Sequence, residues 1–201
     1  KELSQVVEVA ENPEQALEML IRVREKMVKQ IEMMKKSYFT NIIDTSIKER
    51  CFIIVDEGAN LCPTQGLPKK QRDVLFLCQE MLSEVARIGG GLGFRLIFCT
   101  QYPTSDTLPR QIKQNSDAKI GFRLPTAVAS QVALDEPGLE DLPSLPGRAL
   151  FKTDRTEEIQ VPFLKDTDMW ELLKQYKVVK QHETPETQTE SQTNRDFIEF
   201  K

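Results

Sequence analysis

The chain has 201 residues, a formal net charge of -4, 39% hydrophobic residues and 29% charged residues, enough apolar material for one sizeable core and too much for a generally disordered chain. The acidic balance excludes a wholly basic nucleic-acid binder and leaves room for a local basic loop that meets phosphate. No apolar run nears the roughly 20 residues that span a bilayer, KELSQVVEVA at the start lacks the apolar block of a secretory signal, and four cysteines without a CxxC pair beside a single histidine, His182, encourage neither a zinc site nor a disulfide framework; the expectation is a soluble chain in a reducing, cytoplasmic setting.

Asn12-Pro13-Glu14-Gln15 combines a capping residue, proline at the first helical position and a glutamine three residues after the cap, which predicts a helix start. Ala16, Leu20, Val23, Met27, Ile31 and Met34 then recur at helical steps and give the following long helix one apolar face, its methionines being core packing. Phe52 to Val55 is short, β-branched and flanked by polar residues, so a fully buried strand is expected. Pro68 opens a second helix through about Ile88. The glycine cluster GGGLGF (89–94) reads as a helix stop and tight turn, and Phe94 to Thr100 as a second buried strand. A short helix near Leu108 to Asn115 precedes a third strand, KIGFRL, and TAVASQVALD is a helix ended by Pro137-Gly138. RALFKT and EIQVPFL form a closing pair of strands, and DTDMWELLKQY is an amphipathic helix whose Trp170 packs on the body. Strand and helix alternate as in an α/β domain with a mainly parallel sheet. Beyond Lys180 the polar composition predicts a disordered tail, 181–201, ending in DFIEF, either a docking peptide or a plain terminus.

In an open parallel sheet, ligands sit beyond the carboxyl ends of the strands, and CFIIVDEGANL delivers Asp56 and Glu57 to such an end. An apolar strand followed by Asp-Glu is the Walker B pattern of P-loop nucleotide hydrolases, in which the Asp helps hold Mg²⁺ and the Glu polarises the attacking water. The other reading is an ordinary strand end whose acids cap the next turn. FRLIFCTQYP ends likewise in polar residues, Thr100 and Gln101, which lie beside the two acids if the strands are neighbours. A glutamine there can hydrogen-bond both a γ-phosphate oxygen and a water and so sense hydrolysis; a turn-forming Thr-Gln-Tyr-Pro is the plain alternative.

FIIVDEGANL, EVARIGGGLGFRLIFCTQYPTSDTLPRQIKQNSDAKIGFRL and ALDEPGLEDLPSLPGRALF together resemble the FtsK/SpoIIIE family of DNA-pumping motors, within the group that includes HerA and conjugative coupling proteins. The Walker B strand, a strand ending Thr-Gln-x-Pro, an Asn...Ile-x-Phe-Arg strand and an Asp-x-Pro-Gly turn follow in the family's order, over Val6 to Leu164. The long first helix also resembles the one that precedes Walker B there. The resemblance implies a three-layer RecA-like P-loop NTPase domain over residues 1–180, with ATP and Mg²⁺ as cofactors. It implies Asp56 as the metal ligand, Glu57 and Gln101 as catalytic, and Asp56, Glu57, Thr100 and Gln101 as the nucleotide contacts. It further implies a hexameric ring of identical chains on double-stranded DNA, serving plasmid or integrative-element transfer (conjugation) or chromosome segregation. The setting it implies is the cytoplasmic domain of a membrane-anchored bacterial protein, with membrane or transfer-machinery partners. A type VII secretion-like protein translocase and a non-catalytic ring-assembly module are the rival readings.

Three departures from the family pattern matter. No glycine is followed by lysine, so the Gly-Lys-Ser/Thr phosphate loop is expected upstream and this fragment alone is expected to be inactive. The arginine that related ring motors carry three residues before the glycine opening the Thr-Gln strand is Gly90 here; Arg87 and Arg123 are the candidates for a finger acting in trans. The family's trans lysine falls near Ala127. For DNA, PTQGLPKKQR offers Lys69, Lys70 and Arg72 on a loop after Walker B as sequence-independent phosphate contacts, with a solvated charged turn as the alternative. The polar tail offers no counterpart of the DNA-reading winged helix that ends many chromosome translocases.

Overall fold

A computed structural model describes residues 3–177; the expected disordered tail and its DFIEF segment lie outside them. Helix α1, Pro13–Lys36, begins as its sequence dictates: the Asn12 side chain accepts from the Gln15 backbone N–H at 2.9 Å, and the Gln15 side chain returns to the Glu11 N–H at 2.9 Å, so two otherwise orphaned donors are satisfied. Leu20, Val23, Met27 and Met34 are its buried face. Helix α2, Lys69–Glu84, packs against it, and Leu75, Cys78 and Leu82 join Leu20, Val23 and Met27 in the main core.

Under these helices lie two parallel strands, β1 (Cys51–Val55) and β2 (Phe94–Phe98), paired in the register Cys51 to Phe94 through Val55 to Phe98. Alternation along a strand sends successive side chains to opposite faces. Ile53 and Phe94 therefore turn into the core, whereas Phe52, Ile54 and Ile97 are 59%, 64% and 43% exposed. The expectation of two fully buried strands is thus corrected to strands covered on one face, because α1 and α2 both lie on the same side.

The glycine cluster also differs from expectation. After α2 the chain continues through a single wide turn, Val85–Gly89, into the short helix α3, Gly90–Leu92, and only Gly93, at φ +88°, turns it into β2. Gly89 lets the helix end press closely on the start of β2: a Cβ there would stand 3.2 Å from the Phe94 Cβ and carbonyl oxygen.

The third expected strand joins a separate sheet. Helix α4, Arg110–Gln114, leads to β3, Lys119–Phe122, which pairs antiparallel with β4, Arg148–Lys152; β4 in turn pairs antiparallel with β5, Thr156–Gln160. Between β3 and β4, helix α5 (Ala127–Leu134) starts on a Thr126 cap and stops at Asp135, whose φ of +64° is left-handed. A second small core of Leu134, Leu139 and Leu142 fills this end, with Leu139 seated over Gly121, where a Cβ would stand 2.6 Å from Leu139 Cδ1. Asp135 ion-pairs with Lys113 at 2.6 Å and Lys119 at 3.8 Å, and Glu136 with Lys152 at 3.2 Å, so the end of α5 ties α4, β3 and β4 together. The last helix, α6 (Asp166–Leu173), buries none of its side chains; Trp170 is 43% exposed with the Lys177 ammonium over its ring, which corrects the expectation that it packs on the body.

Candidate functional site

The two strand ends that carry the acids and the Thr-Gln pair meet. Beyond the paired Val55 and Phe98, the Cys99 N–H donates to the Val55 carbonyl at 2.8 Å and the Gly58 N–H to the Cys99 carbonyl at 2.7 Å. Asp56 and Glu57 therefore emerge beside Cys99, Thr100 and Gln101 at the carboxyl end of a parallel pair. Gly58 allows this closure: a Cβ on it would lie 2.1 Å from Phe98 Cζ, inside the ring's own volume.

Both oxygens of the Glu57 carboxylate are engaged. Its Oε1 accepts from the Thr100 hydroxyl at 2.8 Å and the Ala59 N–H at 3.1 Å, and its Oε2 from the Gln101 N–H at 3.1 Å. The Thr100 hydroxyl first, and then the Ala59 and Gln101 amides against a small opposing effect of burial, hold its carboxyl below the usual carboxylate range, since donors aimed at a carboxylate favour its charged form. The capping reading of the sequence thus holds for Glu57. Glu57 caps the short helical turn Gly58–Leu61 through Ala59, and it also bridges to the neighbouring strand.

Asp56 is exposed and its carboxylate makes no hydrogen bond or ion pair among the described residues. A carboxylate left open at a strand end fits Mg²⁺, which takes one or two protein carboxylates and fills the rest of its shell with water and phosphate oxygens. Among the described residues no cluster of three His, Cys, Asp or Glu side chains could hold a metal by itself. The negative charge at this end is felt nearby: burial, then Asp56 and Glu57, push the Cys99 thiol up.

The other candidates do not join this group. Arg87 lies exposed in the Val85–Gly89 turn, and Arg123 lies exposed just past β3, not on it, facing a shallow cavity with Pro143, Leu145 and Arg148. Neither bonds to Asp56, Glu57, Thr100 or Gln101. Lys69, Lys70 and Arg72 are exposed on the first turn of α2, not on a loop. That turn has no acidic residue and no side-chain cap, since Pro68 occupies the cap position. A cavity of about 320 Å³ opens behind the site, between Pro13 and Glu14 of α1, Asn60, Thr64 and Gln71; the four strand-end residues do not line it.

Two contacts escaped the sequence reading. Gln101 reaches Glu57 through its backbone N–H, not its side chain; the only sequence signal was the position of the pair at a strand end. Gly90, where an arginine was expected, offers its carbonyl to Arg95 of β2 at 2.6 Å.

No protein-family model matches the chain. It is similar to the DNA translocase FtsK of Rhizobium meliloti, 27% identical over 138 residues, covering 68% of this chain and 14% of that protein. It is also similar to the DNA translocase FtsK of Rickettsia bellii, 31% identical over 136 residues, covering 67% of this chain and 16% of that protein. The chain thus spans a small part of the curated relatives it matches. Among solved structures, the pCW3 conjugation coupling protein TcpA, a monomer form with ATPγS, superposes with a TM-score of 0.72 and 25% identity over 78% of this chain and 46% of that one. The type VII secretion ATPase EccC of Thermomonospora curvata superposes at 0.60 with 20% identity, over 79% of this chain and 20% of that one. EssC of Geobacillus thermodenitrificans superposes at 0.62 with 17% identity, over 81% of this chain and 31% of that one. These last two share the fold alone. The architecture is that of P-loop ATPase motor domains, α/β with a parallel strand pair and a second, open sheet. No described helix is long and apolar enough to cross a membrane.

Proposed function

From a chain that carries an FtsK/SpoIIIE-type motor domain, we propose an ATP-driven translocase of double-stranded DNA that works as a hexameric ring of identical chains. The observation that carries the proposal is the meeting of Glu57 with Thr100 and Gln101 at the carboxyl end of a parallel pair, with Asp56 open beside them. In this reading Glu57 takes the proton of the attacking water, Gln101 senses the γ-phosphate with its free side chain, and Thr100 stands between them. Asp56 would hold Mg²⁺, whose charge would supply electrostatic stabilisation during phosphoryl transfer. Arg87 or Arg123, both exposed, is the cation offered to a neighbouring subunit's site.

None of the nine glycines precedes a lysine, so the proposal assigns the phosphate loop to a part of the protein outside these residues. The bare face of Phe52, Ile54 and Ile97 is the surface on which that part packs. These 201 residues alone should then turn over no ATP.

For DNA, the first turn of α2 is the best-supported contact. Helix N-termini present unpaired N–H groups and partial positive charge. Adding Lys69, Lys70 and Arg72 there is unfavourable in isolation and favourable once a phosphate arrives. The likeness to a conjugation coupling protein supports transfer of a plasmid or integrative element over chromosome segregation. The test is ATP hydrolysis by the full-length protein with and without linear duplex DNA. Stimulation by DNA irrespective of sequence supports the proposal; stimulation by an export-signal peptide and not by DNA would replace it with the protein-secreting reading.

A further inference from the structure

Glu57 stands in an arrangement at odds with the task proposed for it. A general base needs a lone pair directed at its water. Here both carboxylate oxygens are already accepting, from Thr100 Oγ1, Ala59 N and Gln101 N. The titratable groups that face it add no cation. Asp56 adjoins it just past β1, Cys99 lies across just past β2, and Cys62 follows the Gly58–Leu61 turn, both thiols pushed up chiefly by burial.

We infer that Thr100 is a positioning residue that latches Glu57 to the end of β2 in a resting state, and that hydrolysis requires β2's end to release it. The inference rests on the reading of Glu57 as the general base. The latch joins unlike parts. The Ala59 bond lies two residues along the same turn and moves with Glu57, whereas Thr100 and Gln101 are 43 and 44 residues away in sequence. They open a segment that is laced to itself: the Thr107 hydroxyl donates to the Tyr102 carbonyl at 2.7 Å and accepts from the Thr104 N–H at 2.8 Å, and the Thr107 N–H donates to the Thr104 hydroxyl at 3.1 Å. A braced segment of this kind shifts as one piece. With Tyr102 67% exposed on it, a neighbouring subunit or DNA that pushes the segment draws Gln101 N–H and Thr100 off the carboxylate together. With the Thr100 and Gln101 donors withdrawn, the lone pairs they occupied on the carboxylate are free to turn toward a water.

The test uses the full-length protein and three variants. In Thr100→Val, the Gln101 amide of the nucleotide-free protein should exchange hydrogen about tenfold faster, the order set by one hydrogen bond to a charged group. ATP hydrolysis without DNA should rise and stimulation by DNA should shrink. Thr100→Ser keeps the hydroxyl and should behave as the unmodified protein. Unaltered Gln101 exchange together with unchanged DNA-free hydrolysis in Thr100→Val overturns the latch, as does a Thr100→Ser protein that behaves like Thr100→Val. Glu57→Gln separates the two levels. If it is inactive, failure of the Thr100 results counts against the latch alone, and if it hydrolyses ATP normally, the general-base reading and the latch fall together.

Discussion

Replacing Glu57 by glutamine changes one oxygen to an NH₂ group, and the surrounding hydrogen bonds set the cost of that change. The carboxylate receives three donors, two on Oε1 and one on Oε2. The Thr100 hydroxyl can rotate to accept from an amide, but the Ala59 and Gln101 N–H groups only donate. Whichever way the glutamine side chain is turned, its NH₂ faces one backbone N–H, and that bond is lost. Because the site is partly open to water, the lost bond should cost about 1 kcal/mol of stability. The lowered Glu57 pKa fixes the sign of the pH dependence. Its contribution is present above the ordinary value of 4.5 and is lost as pH falls through the folded value, so the gap between the two proteins should close in acid. Chemical denaturation at neutral and acidic pH measures this. In the full-length protein the same substitution should leave ATP binding intact and lower turnover about a hundred- to ten-thousandfold, the range for a lost general base. Turnover at the unmodified level, or a stability gap that does not narrow in acid, would refute the reasoning.

Three further outcomes are expected. Lys69→Ala with Lys70→Ala should weaken DNA binding irrespective of sequence and flatten the slope of log K against log salt by about 1.8; the same change should slightly raise thermal stability, because it relieves like charge at a helix N-terminus. Gly58→Val should force the Phe98 ring out of its place, since even a Cβ would lie 2.1 Å from it, and cost about 1–3 kcal/mol in a denaturation midpoint. Asp135→Asn keeps a residue that tolerates the left-handed backbone while removing the ion pairs with Lys113 and Lys119. Partial burial opposes the Asp135 charge, and the Lys113 bond with the charges of Lys113, Lys119 and Lys152 outweighs it. With its side chain 56% exposed, the loss should be at most about 1 kcal/mol, present at neutral pH and vanishing as pH falls through the lowered folded pKa.

Much of the fold was legible because local rules acted alone. Asn12 and Gln15 mark the start of α1, the three- and four-residue spacing of Leu20, Val23 and Met27 marks its buried face, and the run TAVASQVALD ahead of Pro137-Gly138 marks α5. The acids after β1 and the Thr-Gln pair after β2 could be found as strand ends, which made them candidates before any geometry was known. Burial of the strands was misjudged because an apolar run does not reveal how many faces are covered. Phe52 and Ile54 look as fit for a core as Ile53, and only the placement of both helices on one side separates them. Gly89 was misjudged for a related reason: Phe94 packs so closely on the helix end that a side chain there would crowd it, a contact invisible to a rule about glycine and turns.

The chain's sequence by itself determined which segments become helices and strands and which carboxylates stand at their ends, since those depend on neighbours within a turn or two. Only the tertiary structure decided that Val55 pairs with Phe98, that β3 leaves the parallel pair for an antiparallel sheet, and that Thr100 and Gln101 grip Glu57. Those outcomes depend on residues more than forty positions apart brought within 3.1 Å, and a register between distant strands is chosen by the packing of both at once.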